Sequence, residues 1–100
     1  AYPDIVPIRL DAAPAQAFTR ALDAARAMGW MIVTADPARG TIEATDQTLW
    51  FGFKDDIAVR VRADGAGSVV DVRSLSRVGR SDVGTNARRI RAYRERLTGR

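Results

Sequence analysis

Ile5–Leu10 opens the chain with an apolar run broken by Pro7, which predicts a short strand at a sheet edge, since proline cannot donate to a ladder. Asp11–Pro14 then offers a helix start, an acidic cap followed by a first-turn proline. Phe18, Leu22, Ala25 and Met28 recur at helical spacing while Arg20, Asp23 and Arg26 take the other side, and Gly29 is placed to stop the helix. Period two follows. Trp30–Ala35 is a β-branched run, a loop with Pro37 and Gly40 comes next, and residues 41–45 alternate Ile42 and Ala44 inward with Glu43 and Thr45 outward, so the two runs predict a hairpin. Residues 56–63 set Ile57, Val59 and Val61 against Arg60 and Arg62. After the turn signal "DGAG" at 64–67, the return run sets Val70 and Val72 against Asp71 and Arg73.

The stretch "TLWFGFKDD" at 48–56 breaks this rhythm. Ile42 and Ala44 are apolar at even positions; Leu49, Phe51 and Phe53 are apolar at odd ones. A phase slip is therefore expected near Asp46–Thr48. It turns those three residues toward the core, leaves Trp50 on the outer side, and makes Lys54-Asp55-Asp56 a polar turn. The last element begins near Ser81-Asp82. Val83, Ala87, Ile90, Tyr93 and Leu97 form the apolar stripe of an amphipathic helix, with Arg88, Arg89, Arg91 and Arg96 on its outer side. The predicted order is β-α-β-β-β-β-β-α, an α+β fold. It is a helix-grip-like, two-layer sandwich: an antiparallel meander of about five to six strands, with both helices packed on one face. One domain accounts for all of 1–100.

Composition narrows the chemistry. With 46% hydrophobic and 28% charged residues the chain is globular. It has no cysteine and no histidine, which removes disulfides, thiolate catalysis, Ser-His-Asp triads and imidazole metal ligation. Any metal would need oxygen ligands alone. The acids available, Asp46, Asp55 and Asp56, match no spaced cation-binding motif and read as solvated turn residues. No metal, no cofactor and no catalytic residue is predicted, and nothing pairs a nucleophile with a base. The net charge of +4 is unevenly spread: residues 77–100 hold eight arginines against two acids, whereas residues 1–76 are net acidic. The opening Ala1-Tyr2-Pro3 lacks methionine, the mark expected of a domain cut from a longer membrane-associated or exported protein.

Two surfaces carry the candidate binding residues. One is the outer sheet face, where Trp50, Arg60 and Arg73 combine the two side chains most favoured as binding anchors. Ordinary cross-strand ion pairing is the blander account of its charges. The other is "SRVGRSDVGTN" at 76–86, where Arg77, Arg80, Ser81 and Asp82 adjoin a helix start whose free N–H groups suit an anion. There the blander account is a Ser or Asp cap with nearby ion pairs. A protein partner or an anionic lipid headgroup fits these surfaces. Nucleic acid fits poorly, because no aromatic is interleaved with the terminal arginines and no known motif is present. The four buried-side alanines expected on the first helix leave a second reading open, a carrier for a small ligand held between sheet and helices.

"YPDI" at 2–5, "DP..G.IEATD" at 36–46, "WFGFKDD" at 50–56 and "VDVRS.SRVGRSD.G.NA.RI" at 70–90 resemble the bacterial and plastid family catalogued as domain of unknown function 1499. The resemblance covers nearly the whole chain. It implies a soluble domain attached to a membrane helix or exported into the cell envelope, and it carries no activity or catalytic residue across. The pattern "GW.IV..DP..G.IE" is also similar to the helix-grip domains of the lipoprotein that accompanies the outer-membrane barrel assembly machine, an analogy of fold only. The function expected is that of a non-enzymatic binding or scaffold domain.

Overall fold

A strand or helix with one apolar side is stable only when that side is covered, and here the two kinds of element cover each other. The computed structural model describes residues 6–47, 54–76 and 83–99. The elements run β1 (Val6–Leu10), α1 (Pro14–Ala27), β2 (Met31–Asp36), β3 (Thr41–Gln47), β4 (Lys54–Asp64), β5 (Gly67–Ser76) and α2 (Val83–Thr98). All five strands form one antiparallel sheet in the order β1-β5-β4-β3-β2. Strands β2 to β5 are thus a meander of sequential neighbours, and β1 returns to flank β5. The α+β class and antiparallel meander expected from the sequence are those of the molecule. The strand expected over Leu49–Phe53 falls outside the described residues.

Helix α1 begins later than the sequence signals indicate. Its N-cap is Ala13, extended at φ −61° and ψ 153°, with no side-chain cap, so Asp11 does not cap it. Pro14 is the reason: proline drives the residue before it out of the helical region, and its own missing N–H costs nothing at the first helical position. The other end is as expected. Gly29 sits at φ +82°. Its N–H bonds to Arg26 O at 2.9 Å, and that of Trp30 to Ala25 O at 3.2 Å. This is the paired Schellman closure that a left-handed glycine permits. It aims the chain directly into β2.

Ile8, Leu10, Ile42, Ala44, Ile57, Val59, Val61, Val70 and Val72 form the buried face of the sheet. Ala17, Ala21, Ala24 and Ala25 are also buried, so α1 lies close against it, with Phe18 filling the remaining depth. Ile90, Tyr93 and Leu97 complete the core from α2, whereas Ala87, expected in the same stripe, is exposed. Trp30 stacks on Tyr93 with ring centroids 4.9 Å apart and 21° between planes. The Tyr93 hydroxyl donates to Ala21 O at 2.7 Å and so ties α2 to α1. Burial pushes this phenol far above its usual pKa.

The β2–β3 loop is fitted to β4 as tightly. Gly40, at φ +68°, accepts the Val61 N–H at 2.7 Å, and a Cβ on it would collide with Val61 O. Only glycine fits there.

Candidate functional site

Period two leaves one sheet face to the helices and the other to solvent. On that outer face the register lines up Glu43, Ala58 and Arg73 in one cross-strand row, and Thr41, Arg60 and Asp71 in the next. Ala58 is the small residue at the middle, and an open groove of about 580 Å³ lies over it. Arg39, Glu43, Arg60, Asp71 and Arg73 stand around this groove. The ion pairing within it is uneven. Asp71 faces Arg60 across the strands but bonds instead to the diagonal Arg62, Nε to Oδ2 at 3.0 Å. Arg39 reaches Asp36 at 3.7 Å. Among the described residues Arg60 and Glu43 make no hydrogen bond or ion pair. The groove therefore presents an exposed guanidinium whose nearest cross-strand acid is engaged elsewhere, and a planar guanidinium of this kind pairs readily with carboxylate or phosphate.

Of the residues singled out from sequence, the structure brings Arg60 and Arg73 into this one groove and adds Arg39, which pattern alone did not mark. Trp50, Arg77, Arg80, Ser81 and Asp82 lie outside the described residues.

The buried face holds a polar cluster that sequence reading misplaced. Arg89, expected on the outer side of the last helix, is 7% exposed. Its Nε donates to Asp46 Oδ2 at 3.0 Å, its Nη2 to Asp55 Oδ2 at 2.6 Å and its Nη1 to Ser74 Oγ at 2.9 Å. Asp55 is not in a polar turn: β4 already begins at Lys54, and Asp55 is 5% exposed. The reason is parity. Asp46 continues the inward series of Ile42 and Ala44, and Asp55 that of Ile57, Val59 and Val61, while Arg89 stands four residues before Tyr93 on the helix. Each charge ends an inward-facing series, and the three meet. Asp56 points to the opposite face, so the three acids weighed as an oxygen-donor set are divided by the sheet. Among the described residues no three acids gather as metal ligands would. None of the described helices is long and apolar enough to cross a membrane.

The buried Asp55 and the part-buried Asp46 are both paired with Arg89, and the exposed groove offers guanidinium and carboxylate groups without a nucleophile–base pair among the described residues. No curated protein matches the chain. The family model described as "Protein of unknown function (DUF1499)" matches residues 1–97. With that span of the sequence matched, the chain belongs to the DUF1499 family.

Proposed function

We propose that this chain is a non-enzymatic binding or scaffold domain of the cell envelope, and that the outer sheet groove takes an anionic group of a protein partner. The observation that carries the reading is Arg60: exposed on the uncovered face, with Asp71 drawn away to Arg62 and no bond of its own among the described residues. Arg39 and Arg73 on the same groove add positive charge around it. Both helices lie on the far side of the sheet, which leaves this face open to a large partner. The envelope location rests on the family resemblance carried by the sequence blocks given above.

A photo-reactive phenylalanine analogue at Ala58, on the floor of the groove, tests this in cells. The expected result is a protein adduct at position 58 that is absent for the same analogue at Thr19, an exposed position on α1. Arg60→Ala with Arg73→Ala should remove the adduct and leave the melting temperature unchanged. Adducts that survive both substitutions, or none at all, would overturn the reading. Adducts to lipid alone would replace the protein partner with an anionic headgroup.

A further inference from the structure

The charges around the outer groove are not equally available. Asp71 is held by Arg62 at 3.0 Å, Arg39 reaches Asp36 at 3.7 Å, and Arg73 is engaged as well. Among the described residues that line the groove, two charged groups make no bond, one of each sign: the cation Arg60 and the anion Glu43. Both are exposed. They stand on neighbouring strands with Ala58 between them, opposite Glu43 in the register and two residues before Arg60 on β4.

Opposite signs on the two sides of the floor change what the groove selects. A partner that offers only acids gains at Arg60 and loses at Glu43, because like charges brought together across an interface are penalised. A partner that offers only bases meets the reverse difficulty. A segment carrying one of each satisfies both groups. It also breaks no bond already made: Glu43 stands to Arg60 on the same diagonal on which Asp71 bonds to Arg62, yet these two remain apart.

Spacing narrows the segment further. Diagonal neighbours on adjacent strands lie about 7–8 Å apart. Along an extended chain the side chains of one face recur at every second residue, about 6.6 Å apart. An acid and a base two residues apart on such a chain therefore reach Arg60 and Glu43 together. On a helix, an acid and a base three or four residues apart pair with each other instead. Ala58 presents only a methyl group between the two contacts, which leaves the floor clear for the segment.

We infer that the groove selects an extended segment of its protein partner that carries both charges, its acid bound by Arg60 and its base, two residues away, by Glu43. Glu43 is then the residue that sets specificity. This rests on the groove being the contact surface proposed above, and it adds a requirement for a cation that Arg60 alone does not impose.

The photo-reactive analogue at Ala58 reads this through Glu43, because the two kinds of partner predict opposite signs. With a cation of the partner seated on Glu43, Glu43→Gln should lower the yield of the position-58 protein adduct about two- to fivefold, the range of one exposed ion pair. Glu43→Lys, which sets a cation against the partner's base, should lower it more. Glu43→Asp keeps the charge and should keep more of the adduct than Glu43→Gln. The melting temperature should hold in the Gln and Lys variants, since Glu43 is exposed. With a purely acidic partner, Glu43→Gln removes a repulsion and the yield rises. A rise or an unchanged yield would overturn the inference, while an adduct still dependent on Arg60 would keep the groove as the contact surface. A chain that gives no protein adduct with Glu43 and Arg60 both in place fails earlier, at the groove itself, and takes this inference with it.

Discussion

Arg60 and Arg89 reach the same sheet from opposite sides. Arg89 approaches from α2 into the buried side of the sheet, where each of its three nitrogens is met by a described acceptor: Asp46, Asp55 and Ser74. Arg60 rises from β4 into solvent, and its facing acid is already bonded to Arg62. A buried guanidinium left unpaired would cost several kcal/mol, so the fold supplies acceptors wherever one is buried. An exposed guanidinium is paired by water at no such cost and stays available. Identical side chains thus become a clamp in one place and an open contact in the other. The difference lies in solvation, not in residue type.

The largest effect should come from breaking the clamp. Arg89→Ala strands the buried Asp55 carboxylate against the core and should lower unfolding free energy by about 3–5 kcal/mol in urea titration. Arg89→Lys should recover only part of this, because one ammonium cannot match three acceptors held in a fork. A loss under about 1 kcal/mol for Arg89→Ala would show that water reaches the cluster and would erase the contrast with Arg60.

Tyr93 sharpens the comparison with a second buried polar group on the same helix. Tyr93→Phe removes the bond to Ala21 O and should cost about 1 kcal/mol near neutrality. Its pH signature is more distinctive. The folded pKa is raised above the unfolded value of about 10, so the stabilisation is complete below that pH. Above it the unfolded chain ionises while the folded one does not, and stability falls by up to about 1.4 kcal/mol per pH unit. The alkaline limb should flatten in Tyr93→Phe. If wild type and variant decline together between pH 10 and the folded pKa, Tyr93 is not the group responsible.

The outer face should barely register in stability. Breaking the Arg62–Asp71 pair with Arg62→Ala should cost at most about 1 kcal/mol, given the half-exposed arginine. It should also free Asp71 to pair with Arg60, and so weaken partner capture in the crosslinking assay. Arg60→Ala should leave the melting temperature unchanged while removing binding. A large loss of stability in either variant would move the outer groove from contact surface to framework.

Much of this was legible in the chain. The helical stripe of Phe18 and Ala25, the alternation of Ile57, Val59 and Val61, and the stop at Gly29 each follow from a period or a backbone preference acting over a few residues. The outer positions of Arg60 and Arg73 followed by the same parity. Parity also bears on the Arg89 cluster: Asp46 and Asp55 continue the inward series of their strands, although polarity alone marks Asp55 as a turn residue. Helix α1 taught a similar lesson at Pro14, where backbone restriction outweighed the appeal of an acidic cap.

Sequence by itself determined the α+β class, the two faces of each element and which of Arg60, Arg62, Asp71 and Arg73 look outward, because these depend on periods local to one segment. Only the tertiary structure decided that β1 lies beside β5, that Asp46, Asp55, Ser74 and Arg89 share one cluster, and that Asp71 prefers Arg62 to Arg60. These are contacts between residues far apart along the chain or choices among competing neighbours. They are set by which surfaces must be covered together, and no local period records that.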